Sequence, residues 1–184
     1  KDKLTVDDMK RIHYDRYSLQ AEKFMALLTP LLPDSANGRI LRDWDLRYTA
    51  DSGGATLFEN VYAELVKLVF GDMGLGKGVM DFILTETLLF AMTSGNFDAI
   101  LLSESSVWFA GKTCKEIFKE AIMRGLGAPA KRHGETRRIH INNMFFGGKL
   151  PRFLGFDYSL EHIGSRATIP QAQLYRSAGR DNSF

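Results

Sequence analysis

A glycine-rich run carries the clearest chemical motif in this chain. Gly71, Gly76 and Lys77 fall where a phosphate-binding loop places its two glycines and its lysine. That loop then needs Ser or Thr, whose hydroxyl binds the magnesium ion of a nucleotide, and Gly78 has no hydroxyl. The loop should also follow a buried strand, whereas residues 57–70 have helical periodicity. The pattern favours a glycine-rich connection between helices, and nucleotide binding through Lys77 is the lesser alternative.

The four histidines do not form a metal-binding pattern. A metal site needs several ligands that converge, and no pair of His or Cys residues has the i, i+4 spacing of a helical site. We expect hydrogen-bonded or solvent-facing imidazoles and no metal or cofactor; the histidines are His13, His133, His140 and His162. Cys114 is the single cysteine, which excludes an intrachain disulfide and favours a small core residue.

Two polar runs have a chemical and a structural interpretation. Ser103, Ser105 and Ser106 around Glu104 could suggest acyl transfer, but a nucleophilic serine needs a base within hydrogen-bond reach. No such neighbour is evident in the sequence, so a polar helix terminus is the preferred interpretation. The basic run contains no aromatic residue that could stack on bases, which favours a solvated loop over a nucleic-acid patch; it comprises Lys131, Arg132, His133, Arg137 and Arg138.

Composition sets broad limits on the function. With 184 residues, of which 45% are apolar, the chain can bury a sizeable core. Its net charge of +2, from 24 basic and 22 acidic residues, is too balanced to predict binding to nucleic acid or to a membrane surface. No apolar run reaches the roughly 20 residues of a membrane-spanning helix.

The first two thirds of the chain have helical periodicity. Thr5 should cap one long amphipathic helix that continues to Leu28 and ends at Pro30 and Pro33. Further helices are expected over residues 40–48, 57–69, 79–92, 97–102 and 112–123, with a stop at Ser94, Gly95 and Asn96.

Strand character begins only after Gly127 and Pro129. Residues 138–142 alternate polar and apolar side chains, and a second short strand is expected over residues 167–169. A Gly147–Gly148 turn should follow Phe145 and Phe146. The fold class is therefore α+β, predominantly α-helical with a few late β-strands. We divide the chain into a helical segment, 1–130, and a mixed loop and strand segment, 131–184, and expect both to belong to one larger domain; the family resemblance described next implies that the second segment leads into a catalytic sheet.

Several segments together resemble the penicillin acylase family. The start of the first helix, the tryptophan-aspartate turn, the small-residue helix start and the late Arg-Ala-Thr segment occur in the family's order. The residues concerned are Leu4, Thr5, Val6, Asp7, Trp44, Asp45, Asp51, Ser52, Ala55, Tyr62, Arg166, Ala167, Thr168, Gln171, Arg176, Ser177, Gly179 and Arg180.

The resemblance implies an N-terminal nucleophile hydrolase with an αββα assembly. Such an enzyme is made as a precursor that cuts itself, and the new N-terminal serine of its large chain attacks a linear amide with its own α-amino group as the base. Penicillins, acylated amines and acyl homoserine lactones are the implied substrates. Because Lys1 is not Ser, Thr or Cys, it cannot be that nucleophile.

The resemblance further implies that this chain is a middle segment of the large chain, and we expect both of its ends to be cut. The family's oxyanion asparagine, its supporting arginine and any structural calcium would lie in other segments. We therefore assign no catalytic, cofactor-binding or metal-binding residue, and expect the chain alone to be inactive. Its partners would be the remaining segments of the precursor, in a periplasmic or extracellular location. A self-contained helical binding module is the alternative.

Overall fold

A computed structural model describes residues 3–85, 87–142, 146, 154 and 157–170, and this part of the chain is mostly helical. Its longer elements are α1 (Val6–His13), α2 (Leu19–Leu28), α3 (Ala36–Arg42), α4 (Gly53–Val66), α5 (Lys77–Thr85), α6 (Thr87–Leu101), α7 (Cys114–Gly125), α8 (His133–Thr136), β1 (Arg138–Asn142) and β2 (Asp157–Glu161). A π-helix, Lys67–Leu75, continues α4, and short 3-10 helices occupy Thr29–Leu31 and Val107–Phe109. The predicted α+β class with predominant helix is confirmed.

Helix α4 lies at the centre of the hydrophobic core. Most of its side chains are buried, so it is apolar nearly all round, as expected for a helix that has neighbours on several sides. It packs mainly against α7 and also against α3. The approach to α7 is close, because a Cβ atom on Gly125 would lie only 2.7 Å from the Cα atom of Val61. The aromatic rings of Phe24, Phe58 and Phe118 fill the space beside this contact.

The prediction of one long N-terminal helix is wrong, although its cap at Thr5 is confirmed. The helix ends at His13, and α2 begins at Leu19 after the N-cap Ser18, whose hydroxyl accepts a hydrogen bond from the backbone of α2. The intervening chain is extended, because the backbone N–H of Ser18 donates to Leu46 and Tyr17 forms a β-bridge with Arg47. These tertiary hydrogen bonds outweigh the local helical periodicity.

Two further helix boundaries differ from the sequence prediction. The helix expected over residues 40–48 is α3, which starts earlier at its N-cap Ser35 and ends at Arg42. The stop expected at Ser94 to Asn96 does not occur, because α6 runs unbroken from Thr87 to Leu101 and includes the segment predicted as a separate helix over residues 97–102. Gly95 has open space around it, so nothing in the packing interrupts the helix there.

The late strands are confirmed only in part. The strand predicted over residues 138–142 is β1, and it pairs antiparallel with β2, a strand that the sequence analysis did not predict. The strand predicted over residues 167–169 is a turn, in which the hydroxyl of Thr168 accepts a hydrogen bond from the backbone of Ser165. The turn predicted after Phe145 lies outside the described residues, apart from Phe146. None of the helices in the described part is long and apolar enough to cross a membrane.

Candidate functional site

A cluster of hydrogen-bonded polar side chains lies beside the aromatic core and is the most elaborate polar arrangement among the described residues. We call it the polar core. Its members come from α2, from the chain after α3, from α4, from α6 and from the turn after β2. They are Gln20, Tyr48, Glu59, Tyr62, Asp98 and Arg166.

An ion pair between Arg166 and Glu59 occupies the middle of the polar core. Nη1 of Arg166 donates to Oε2 of Glu59 at 2.5 Å, and the two side chains are only 5% and 8% exposed. Nη2 donates to Oε1 of Gln20 at 3.0 Å. The guanidinium carbon also lies 4.0 Å from the ring centroid of Tyr62, which adds a cation–π contact. The positive charge of Arg166 is therefore compensated on several sides.

The two tyrosines extend the network from this ion pair. The hydroxyl of Tyr48 donates to Oε1 of Glu59 at 2.6 Å, so both oxygens of that carboxylate accept a hydrogen bond. The hydroxyl of Tyr62 donates to Asp98 at 2.7 Å, and the amide of Gln20 donates to the other oxygen of Asp98 at 2.5 Å. The network thus joins α2, α4 and α6 through side chains.

The electrostatics of the polar core keep its groups in fixed charge states. Burial raises the pKa of Glu59, but the cations of Arg166 and Arg137 and the hydrogen bond from Tyr48 lower it more, so its pKa lies below the ordinary value. Burial and the nearby Glu59 raise the pKa of Tyr48 well above its usual range. Burial likewise raises the pKa of Tyr62. At neutral pH, Glu59 is therefore ionised and both tyrosines keep their protons.

The polar core holds Arg166 and the helices together, but its groups are not placed to transfer protons to or from a substrate. A general base must reach its substrate, whereas Glu59 is buried and already accepts hydrogen bonds at both of its oxygens. Its lowered pKa also makes it a weak base at neutral pH. The polar core consequently has the chemistry of a structural tie between Arg166 and the helices.

A second buried polar group lies where the β-hairpin meets the helices. His133 is 2% exposed, and its Nε2 atom lies 3.0 Å from the carbonyl oxygen of Gly164. Its ring contacts the ring of Tyr48 edge to face, with the centroids 5.2 Å apart, and lies 6.3 Å from the ring of His162. The structure therefore brings together two histidines that the sequence analysis treated separately. His13 is exposed at the end of α1, and the side chain of His140 lies outside the described residues.

The basic run is only in part the solvated loop that the sequence predicts. Lys131 and Arg132 are exposed before α8, whereas His133 is buried. Arg132 forms ion pairs with Asp51 and Glu161, which lie before α4 and on β2. Arg138 bonds the side chain and the backbone of Ser159 across the hairpin.

The serine run forms a polar helix terminus, as predicted. Ser103 Oγ donates to the carbonyl of Ile100 at 2.6 Å, and it also bonds the carbonyl of Ser105. Ser106 caps the following 3-10 helix through the backbone N–H of Trp108. These hydroxyls bond backbone groups, as is usual at the end of a helix.

The glycine-rich run is a connection between helices, as predicted. A π-helix, and not a strand, precedes Lys77, and Gly76 ends it with a φ angle of +87°, which favours glycine. A Cβ atom on Gly74 would lie 2.8 Å from the ring of Trp108, so this glycine permits the close contact. The strand and hydroxyl that a phosphate-binding loop requires are not found here.

No group of three or more His, Cys, Asp or Glu side chains that could hold a metal ion is found in residues 3–85, 87–142 and 157–170. Cys114 begins α7, packs against the core and is half-buried, and burial raises the pKa of its thiol. It therefore resembles a core residue, as the sequence analysis expected.

Most of the polar core was not predicted from the sequence. Tyr62 and Arg166 entered only through the family resemblance, and Gln20, Tyr48 and Asp98 had no predicted role. One signal was present, because Glu59 follows Phe58 in a helix whose other neighbours are mostly apolar, and a charged residue that is almost fully buried requires a partner.

The comparison with known proteins agrees with the resemblance in the sequence. Among curated proteins, none matches this chain significantly. The family model for penicillin amidase matches residues 1–183, which is essentially the whole chain. The chain belongs to the penicillin amidase family.

Proposed function

We propose that this chain is a scaffolding segment of an amide hydrolase in which the reacting groups come from other segments. Family membership indicates a hydrolase that acts on amides. The observation that carries the structural role is the closed polar core, where the carboxylate of Glu59 accepts hydrogen bonds at both oxygens and is hardly exposed. Such a group holds its neighbours in place but cannot reach a substrate.

In this proposal, catalysis depends on a serine at the N-terminus of the mature large chain. Its α-amino group serves as the base and its hydroxyl attacks the carbonyl carbon of a linear amide, which releases the amine and leaves an acyl-enzyme for water to cleave. The acyl group would be the side chain of a penicillin, of another acylated amine or of an acyl homoserine lactone. The oxyanion donors and any structural calcium ion would also lie in other segments.

The chain's own contribution would be positional. Helices α2, α4 and α6 are bonded to one another and to Arg166 through the polar core, so the turn at residues 164–168 is held against the helical body. By the family resemblance, the chain after this turn leads into the catalytic sheet. The partners would be the other segments of one self-cleaving precursor, in the periplasm or outside the cell.

An activity comparison tests this proposal directly. The 184-residue chain and a complete family precursor that contains it are each assayed with a penicillin, an acylated aniline and an acyl homoserine lactone. We expect turnover of one of these amides by the precursor after self-cleavage, its loss when the new N-terminal serine is replaced by alanine, and no turnover by the chain alone. Turnover by the chain alone that disappears on a substitution within it would contradict the proposal.

A self-contained helical binding module is the second candidate, and one observation favours it. The described residues form one hydrophobic core cluster, which includes much of α4. Such a module should be a monodisperse monomer that binds no apolar dye. A scaffolding segment should instead bind such a dye through the exposed apolar side chains of α1, which include Val6, Met9 and Ile12. Sedimentation and dye fluorescence on the same sample distinguish the two.

A further inference from the structure

We propose that His133 and His162 form an acid-sensitive latch, which holds the β-hairpin against the helical body at neutral pH and releases it when the two imidazoles become protonated. This latch does not depend on the amide hydrolysis proposed above. It follows from the position of the two rings, from the hydrogen bond that one of them makes and from the contacts that surround them.

The latch lies on a seam of backbone hydrogen bonds between α8, the hairpin and the chain before α4. The N–H of Gly134 donates to Ala50 at 2.9 Å, and the N–H of Gly164 donates to Tyr48 at 2.9 Å. On the hairpin side, the N–H of His162 donates to Arg137 at 2.9 Å. These bonds need close backbone approach, because a Cβ atom on Gly134 would lie 2.9 Å from the Cβ atom of Glu161.

The hydrogen bond of His133 fixes the tautomer of its neutral ring. A carbonyl oxygen only accepts hydrogen bonds, so the contact between Nε2 and the oxygen of Gly164 requires a proton on Nε2. The neutral ring then has its lone pair on Nδ1, which is buried and has no hydrogen-bond partner. A second proton would have to go on Nδ1, where it would be a buried donor without an acceptor. Protonation therefore conflicts with the closed seam.

Burial and the surrounding charges together lower the pKa of both imidazoles. For His133, burial lowers the pKa, Arg137 lowers it further, and the bond to Gly164 and the charge of Glu59 raise it, with a lowered pKa as the result. For His162, burial, His133 and Arg137 all act in the same direction and lower the pKa to about 4. The hydroxyl of Tyr48, the ring that faces His133, is bonded to Glu59 and keeps its proton.

The seam is closed at its outer edge by ion pairs. Arg132 bridges Asp51 and Glu161 there, and it also lies 3.7 Å from Glu135. Histidine side chains in an unfolded chain take up protons below about pH 6.5, so the two imidazoles are the groups through which mild acid acts on the open seam.

The sign of the effect follows from the lowered pKa values. The open form binds protons below about pH 6.5, whereas the closed form resists them, so the closed form loses stability as the pH falls. For His162, with a pKa of about 4 when closed, the opening constant should rise roughly 20-fold between pH 7 and pH 5. The partial exposure of this ring reduces the expected rise to about tenfold.

Hydrogen exchange on the unmodified chain tests the latch. The amides of Gly134 and Gly164 report opening of the seam, because they donate to Ala50 and Tyr48, and the amide of Val61 in the middle of α4 reports opening of the core. After correction for the intrinsic exchange rate, we expect the seam amides to lose about tenfold protection between pH 7 and pH 5, and the α4 amide to lose less. Equal change at both places, or no change at the seam, would overturn the proposal.

Matched variants separate the two imidazoles from other acid effects. The double variant His133→Gln/His162→Gln has side chains that do not titrate, and the first glutamine can still donate to the carbonyl of Gly164. It should lose most of the change in seam protection between pH 7 and pH 5. The control His13→Gln removes an exposed imidazole on α1 and should behave like the parent chain. A double variant with the full pH response would refute the latch, and if it does not fold, exchange on the parent chain decides.

Discussion

Removing one partner of the buried ion pair should destabilise the chain far more than removing both. In Arg166→Met, the carboxylate of Glu59 stays buried, keeps the hydrogen bond from Tyr48 and loses its counter-ion. Breaking a buried pair in this way typically costs about 3 to 5 kcal/mol. Two unit charges about 4 Å apart interact by about 4 kcal/mol at an effective dielectric constant of about 20, which gives the same magnitude.

The double variant Glu59→Leu/Arg166→Met is the matched control. It replaces both charges with apolar side chains, so neither an unpaired carboxylate nor an unpaired guanidinium remains in the core. Such replacements are often neutral or even stabilising. We therefore expect the loss in the double variant to be smaller than the sum of the single losses by at least about 2 kcal/mol, which is the coupling energy of the pair.

Urea unfolding at pH 7 measures these differences. Far-ultraviolet circular dichroism follows the helices, and the fluorescence of the two tryptophans reports in part on the polar core, because the ring of Trp44 lies 5.3 Å from that of Tyr48. Stabilities of whole domains are about 5 to 15 kcal/mol, so the loss in Arg166→Met should be a large part of the total. A loss below about 1 kcal/mol, or single losses that add without coupling, would refute the structural role assigned to the pair.

The pH dependence of the same variant gives a second check. In Arg166→Met, the cation of Arg166 no longer lowers the pKa of Glu59, while burial still raises that pKa. A carboxyl whose pKa is raised on folding contributes stability below its unfolded pKa and loses it as the pH rises. The difference in stability between Arg166→Met and the parent chain should therefore shrink as the pH falls from 7 to 5. A constant difference would show that Glu59 stays ionised without its partner.

Three further substitutions test the packing and the helix boundaries. Gly125→Ala places a methyl group against the backbone of Val61 at 2.7 Å and should cost about 1 to 3 kcal/mol in urea unfolding. Gly95→Ala fills open space inside α6 and should stabilise by roughly 0.5 to 1 kcal/mol, whereas a loss would contradict an unbroken α6. Ser18→Ala removes the N-cap bond to Ala21 and should cost about 1 kcal/mol in the same assay; an unchanged midpoint would contradict that cap.

The helical periodicity of the sequence was sufficient to predict a mostly helical fold, but it did not predict where the helices are interrupted. The strand β1 was correctly predicted because its alternation is local. The break between α1 and α2 was missed because the apolar period continues across it, while the backbone of Ser18 bonds to Leu46, which is distant in the sequence. Propensity and periodicity describe neighbours along the chain, and this break depends on partners that they do not describe.

The polar core could not be predicted for a related reason. Glu59 and Arg166 are 107 residues apart, and nothing in the local sequence of either residue identifies the other. The signal from Glu59, a charge in an otherwise buried helix, predicts that a partner exists but not which residue provides it. For His133, the local sequence was misleading. Its basic neighbours predict an exposed segment, yet the charge of Arg132 is paired with acids on other elements.

The turn after β2 is held at two points that should respond differently to acid. On one side, His133 donates to the carbonyl of Gly164, and a second proton on its buried Nδ1 would have no acceptor. On the other side, Arg166 binds Glu59, whose pKa lies below the ordinary value, so that ion pair persists to lower pH. The two points are only two residues apart along the chain. Mild acid should therefore free the Gly164 side while Arg166 stays bound, and the opening should be local before it becomes global.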